Sequence, residues 1–183
     1  MLLTGKAIEP SAFRQALGHY ASGITVISSH HDGEPIGFTC QSFYSVSMSP
    51  PLVSFSVMSS SASYPRIRQA GRFMVNILSG EQASISNRFA QRGADKWHGV
   101  QWQVSPLGNP IIAGCLHWLD CEIHAEHTAG DHLIVIGEVK ALNLQAGAAV
   151  FQGAILQPRR APRGLSLSPT HGNPLKGIVR TTR

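Results

Sequence analysis

Polar groups able to do chemistry gather at three places in this chain. Between Gly37 and Ser56 a run of strand-forming residues also carries Thr39, Gln41, Ser42, Ser45 and Ser47. Such spacing either decorates a solvent-facing strand or lines hydroxyls, an amide and backbone N–H groups up against a ligand that is polar at its edges. Next comes Ser59-Ser60-Ser61-Ala62-Ser63, directly ahead of a short helix expected from Tyr64 to Ala70 and ended by Gly71. Serine hydroxyls beside the free N–H groups of a helix start make an anion site, and the apolar strand just before argues against a simple linker. Cys115, His117, Cys121, His124 and His127 form the third group, with ligand types suited to zinc. On a strand Cys115, His117 and Cys121 share a face while His124 takes the other, and no C-x-x-C is present, so no metal is expected. His30 and His31 are adjacent on extended chain and point to opposite faces, which excludes a shared ion.

The elements that must position these groups follow from periodicity. Glu9 to Tyr20 predicts a helix with Phe13, Ala16, Leu17 and Tyr20 on one stripe, Ser11 at its N-cap and Gly23 as its stop. Gly18 weakens it, so it is expected to dock on a sheet. Ile24 to Ser28 reads as a strand, followed by a turn from His30 to Pro35. Gly37 to Ser56 reads as two strands meeting at Pro50-Pro51, neither of which can donate to a ladder. Arg72 to Leu78 is a strand with Phe73, Val75 and Ile77 on one face, and Ser79 with Gln82 forms a capping box for a helix to Gln91, ended at Gly93. Asp95 to Pro110 looks irregular and is anchored by Trp97 and Trp102. Ile111 to Glu126 and Leu133 to Leu142 read as a long hairpin turning at Thr128 to Asp131, and Ala149 to Leu156 as a last strand. Many short strands with few helices argue for a β-barrel with helical additions.

One domain, residues 1–157, accounts for this pattern, and residues 158–183 form a basic tail whose composition does not offset its ordering entropy. The chain carries a formal charge of +5, but no acid follows Glu138 and seven of the fifteen basic residues do. The positive charge is thus a property of the end, and without aromatic-basic interleaving it does not argue for nucleic acid. No apolar run approaches a membrane span, and the first residues lack a signal peptide's apolar stretch and cleavage site. Three cysteines form no disulfide framework, so a cytoplasmic protein with reduced thiols is expected.

Gly37-Phe38-Thr39-Cys40-Gln41-Ser42-Phe43, then Ser45-Val46-Ser47-Met48-Ser49-Pro50-Pro51-Leu52-Val53, resembles the signature of the short-chain flavin reductases. These are the reductase components of two-component flavin-dependent monooxygenases. Ala21 to Val26, Ser61-Ala62-Ser63, Gly71 to Leu78, Asn87-Arg88-Phe89-Ala90 and Gly130-Asp131-His132 match in the same order, so the resemblance spans Phe13 to Val139. It implies an antiparallel Greek-key split barrel that binds FMN or FAD, a homodimer, and hydride transfer from NADH or NADPH to the flavin. A cofactor that carries the chemistry explains why no Ser-His-Asp pattern or carboxylate pair is needed.

The same resemblance assigns roles. Thr39, Cys40, Gln41, Ser42, Phe43, Val46 and Ser47 would meet the flavin ring and ribityl chain, with Cys40 as a small packing residue. Ser61 and Ser63 would hold the flavin phosphate, although the family often has a basic or larger residue where Ala62 stands. Arg88, Phe89 and Ala90 would lie against the flavin, and His132 would contact the nicotinamide. Family members commonly carry aromatic-Arg-Gly-x-Tyr on the last strand. Here that reads Phe151-Gln152-Gly153-Ala154-Ile155, so Gln152 stands at the nicotinamide-binding position and the choice of NADH or NADPH does not follow from the motif. A flavin carrier or sensor without turnover is the alternative.

Overall fold

The computed structural model describes residues 9–93, 95–144 and 151–152. The boundary at 157 and the tail beyond it lie outside the described residues. Helix α1 (Pro10–Leu17) leads to β1 (Ser22–Gly23), β2 (Thr25–His31), β3 (Glu34–Cys40), β4 (Tyr44–Met48) and β5 (Pro51–Met58). Helix α2 (Tyr64–Ala70), β6 (Arg72–Ile77) and α3 (Ala83–Ala90) follow. The chain then forms β7 (Trp102–Val104), β8 (Pro110–Ile112), β9 (His117–Ala129), β10 (His132–Leu144) and β11 (Phe151–Gln152). Among these residues no helix is long and apolar enough to cross a membrane.

Seven strands form one antiparallel sheet in the order β3-β2-β6-β9-β10-β5-β4. Within it β6, β9, β10 and β5 are neighbours, so the first of these four strands in sequence returns beside the last, a Greek key. The expected mainly-β architecture with helical additions is what folds. One face of the sheet encloses the main core, with Ile27, Ile36, Phe55, Phe73, Val75, Cys121 and Val135 all buried there. Phe38 of β3 and Phe55 of β5 come to 6.0 Å between ring centres although their strands are far apart in the order, so the sheet is strongly curled. Residues of opposite parity serve the other face: Val26 joins Leu78, Phe89 and Ile112, and Met74 joins Ile111 and Cys115. Fully burying a side chain such as Phe73 contributes about 1.5–3 kcal/mol.

Several elements differ from the periodicity. Helix α1 starts at Pro10, where a missing N–H costs nothing, so Ser11 lies inside the first turn and is not its cap. Its stripe does not dock: Phe13, Leu17 and Tyr20 are 56%, 54% and 73% exposed. Gly37 to Ser56 is not two strands but parts of three, because Gly37 to Cys40 completes β3 and Gln41 to Phe43 cross to β4. His30 and His31 sit within β2, and the turn is Asp32-Gly33, both at positive φ as a two-residue hairpin turn requires. The 95–110 segment contains β7 and meets β8 in a small second sheet. Ile111 to Glu126 is broken at Ala113-Gly114 before β9 begins. Gln82 returns its side-chain oxygen to the Ser79 amide at 3.0 Å, the capping box read from sequence.

Candidate functional site

A cleft of about 590 Å3 opens where the β3 edge meets the ends of α2, α3 and β10. That volume lies within the roughly 300–1,000 Å3 of ligand pockets. Gly37 forms part of its wall, and a Cβ there would meet the Ile27 carbonyl and the Phe89 ring, each at 3.0 Å. Glycine thus lets α3 lie directly on the strand. Phe89 is fully buried beneath the cleft and meets Trp97 edge-on at 4.9 Å, while Ala90 is exposed in it. Thr39 lines the same wall and donates its hydroxyl to the Ser86 carbonyl at 2.6 Å, tying β3 to α3.

Ser60, Ser61, Ala62 and Ser63 form the next wall. The Ser61 amide donates back to the Met58 carbonyl at 2.9 Å, and the Ser61 hydroxyl accepts the Tyr64 amide at 3.3 Å. Ser63 precedes α2 but does not cap it; its hydroxyl reaches the Gly37 carbonyl at 3.5 Å. Tyr64 and Arg68 of α2 both bind the Glu126 carboxylate, anchoring the helix to β9. The Arg68 guanidinium holds Glu126 below the ordinary carboxylate range.

His132 closes the far side of the cleft. The Ser59 amide donates to the Asp131 carbonyl at 2.9 Å, which ties the serine loop to the β9–β10 turn. Nδ1 of His132 lies 2.6 Å from the Asp131 carboxylate, which this contact holds below its ordinary value. Nε2 is then the ring nitrogen left for another partner. Two loops distant in sequence, the serines and the Gly130-Asp131-His132 turn, are therefore brought together.

The other residues singled out from sequence lie elsewhere. The Arg88 guanidinium donates to the His98 carbonyl and does not line the cleft. Cys40 is buried in the main core, where desolvation pushes its thiol up, away from nucleophile chemistry. Ser42 bridges to Ser56, accepting its amide at 2.9 Å and donating to its carbonyl at 3.0 Å. Gln41 is exposed, Phe43 packs on the main core, and Val46 and Ser47 belong to the outer strand β4. The backbone of Gln152 pairs with Ser22, but its side chain lies outside what the structure describes. Cys115 and Cys121 sit in separate buried clusters, and burial pushes both thiols up, Cys115 to about 11.

Sequence reasoning missed Lys96, Arg66 and Arg92, which all line the cleft. Lys96 donates to the Gly37 carbonyl at 3.1 Å, and burial pushes its amine below the ordinary value. It comes from the segment without hydrophobic period, where spacing carries no signal. Arg66 lies three residues after Ser63, and that proximity to the serine cluster was the available clue.

The chain is similar over this whole region to proteins of one kind. A family model for the flavin reductase like domain matches residues 17–159. The reductase subunit HsaB of a flavin-dependent monooxygenase from Mycobacterium tuberculosis is 45% identical over 136 residues, 74% of this chain and 73% of that protein. The FMN reductase (NADH) SmoA of Agrobacterium fabrum is 40% identical over 143 residues, 78% of this chain and 82% of its own length. The solved NADH:FAD oxidoreductase SgcE6 of Streptomyces globisporus, in complex with NAD and FAD fragments, superposes with a TM-score of 0.75 at 31% identity. That match covers 81% of this chain and 93% of the other. With a cleft built from the serine loop, the Phe89-Ala90 helix end and His132 on a curled Greek-key sheet, the chain belongs to the flavin reductase-like family.

Proposed function

We propose that the chain is the NAD(P)H-dependent flavin reductase of a two-component monooxygenase, passing a hydride from NADH to FMN or FAD and releasing reduced flavin to the oxygenase component. The observation that supports this most is the convergence of Ser61, Ser63, Phe89, Ala90 and His132 on one cleft from three separate parts of the chain, the serine loop, α3 and the start of β10. The lining fits a flavin: hydroxyls and three cations for a phosphate, beside Phe38, Val57, Phe89 and Trp97 as apolar surface for a ring system. When bound, the flavin supplies the hydride acceptor.

The protein's own residues then position and shield. Ser61 and Ser63 hold the phosphate, and Phe38 and Thr39 offer the half-buried backbone of an edge strand to the polar rim of the ring. Phe89 and Ala90 exclude water from one side. His132, steadied by Asp131, orients the nicotinamide carboxamide through Nε2. Hydride transfer needs no obligatory proton donor, so His132 acts by placement, and misplacement alone costs around a hundredfold in rate. The fold is the flavin-binding split barrel. A homodimer accounts for the apolar side chains that α1, the bend after it and β4 leave exposed: Phe13 and Leu17, then Tyr20, and Tyr44, Val46 and Met48. Val46 and Ser47 would then lie at the dimer contact instead of at their own chain's cleft. A cytoplasmic location suits the three free cysteines.

Relatives include an FMN reductase and an FAD reductase, so both flavins are candidate substrates. The test is NADH and NADPH consumption by the purified protein with FMN, FAD, riboflavin or no flavin. Turnover only with flavin supports the proposal. No consumption above the flavin-only background in any combination contradicts it, and tight flavin binding without turnover would favour a carrier. Sedimentation of the full chain at micromolar concentration tests the dimer.

A further inference from the structure

The ionisable side chains lining the cleft are Arg66, Arg92, Lys96, Asp95 and His132. Elsewhere Arg68 of α2 pairs with Glu126, and Lys140 of β10 pairs with Glu122 and Glu138. Lys96 has no carboxylate partner among the described residues. Asp95 beside it accepts the His98 amide at 3.2 Å, and the Lys96 ammonium instead donates to the Gly37 carbonyl at 3.1 Å. That carbonyl belongs to β3, an edge strand of the sheet, and it also takes the Ser63 hydroxyl at 3.5 Å. One edge carbonyl therefore draws a half-buried cation and the last serine of the loop to the same point of the cleft.

A neutral carbonyl is a weak partner for a partly desolvated ammonium. A phosphate oxygen forms a shorter, charge-assisted bond with it and compensates its desolvation. We propose that Lys96 is the specificity-determining cation of this site: it exchanges the Gly37 carbonyl for the ligand's phosphate and so selects FMN and FAD over unphosphorylated riboflavin. This rests on the flavin reading of the cleft. Ser63, released from the same carbonyl, turns to the same phosphate. Arg66 and Arg92 add long-range attraction from the rim.

Fluorescence titration of the full chain with riboflavin, FMN and FAD, without nicotinamide, tests this in wild type, Lys96→Met and Lys96→Arg. The Met variant should lose about tenfold or more in affinity for FMN and FAD while riboflavin changes by less than about twofold, and the Arg variant should keep most of the preference. Riboflavin binding reports whether the Met variant still folds its cleft. Equal loss for all three flavins, or no loss for any, would overturn the assignment while leaving the flavin reading intact. Unchanged flavin titrations with a raised KM for NADH would move Lys96 to the phosphates of the dinucleotide and also overturn it. Wild-type protein that binds none of the three flavins would sink the flavin reading itself.

Discussion

Two polar regions flank α3 and the β2–β6 sheet, and they treat polarity in opposite ways. On one flank, Asn76 is fully buried, donates to the Val26 carbonyl at 3.2 Å and the Ser28 hydroxyl at 2.9 Å, and accepts the Ile112 amide at 2.8 Å. Ser28 binds the Pro110 carbonyl at 2.8 Å, and Asn109 bonds the buried Asp120 carboxylate at 2.8 Å. Asp120 also accepts the Leu107 amide at 2.8 Å. These bonds are buried or nearly so and made to partners fixed by the fold, so the network clips β8 and the turn before it to the sheet. In the cleft, by contrast, Ser63 reaches its carbonyl only at 3.5 Å and Lys96 settles for a neutral oxygen. Polar groups saturated by the chain specify its shape, and polar groups held loosely are available to a ligand.

The largest effect should come from the saturated flank. Asn76→Ala leaves the Ile112 amide buried without its partner and takes a donor from the Val26 carbonyl and the Ser28 hydroxyl, and should cost about 3 kcal/mol or more in denaturant unfolding. The molecules that remain folded should keep wild-type NADH turnover. If activity per folded molecule fell as well, the two regions would not be separate. His132→Ala should do the converse, lowering NADH turnover by around a hundredfold and raising its KM while flavin titration and melting stay near wild type. Asp131→Asn should give a smaller version of the same change, because the ring keeps its place on the turn but loses the partner that orients it.

Replacing Ser61 and Ser63 together by Ala should weaken FMN affinity by at least about tenfold, with a much smaller change in maximal rate. Unchanged titration would assign both serines to the start of α2 alone. The smallest effect belongs to Glu126→Gln, which loses an ion pair that is partly exposed and is worth under about 1 kcal/mol. Its sign with pH is fixed. Arg68 and Tyr64 hold the folded Glu126 carboxyl below its unfolded value, so the stabilisation is complete above that value, about 4.3, and is lost as pH falls through the folded one. The stability gap between wild type and variant should therefore close on acidification below about pH 4.3; a gap independent of pH would rule the ion pair out as its cause.

What was legible in the sequence was local. Alternation in Arg72 to Ile77, the Ser79–Gln82 box and the Gly71 stop are set by neighbours along the chain and fold as read. The β9–β10 hairpin pairs and turns where expected, although its first arm starts at His117 and not at Ile111. Both loops that meet at the cleft were recognised because their residues form short contiguous motifs. Failures came where a neighbour through space decides. The α1 stripe has an amphipathic period but no partner surface within the described chain, so Phe13 and Leu17 stay exposed. Thr39 and Ser42 look alike in sequence, yet only Thr39 faces the cleft while Ser42 bridges to Ser56 across the sheet. Arg88 stands in a family motif but turns to the His98 carbonyl, and Lys96, with no motif read around it, takes the place in the cleft. A side chain's direction in an irregular segment depends on long-range packing that spacing does not encode.

The central claim is that the loosely held polar groups of the cleft serve a flavin that accepts hydride from a nicotinamide. Anaerobic stopped-flow mixing of the flavin-loaded protein with NADH measures this most directly, following the flavin and NADH absorbance bands together. The account predicts that both bands decay in one coupled phase with equal stoichiometry, that the phase is absent without protein, and that it slows around a hundredfold in His132→Ala. Flavin that binds in the cleft yet stays oxidised at saturating NADH and NADPH would contradict it.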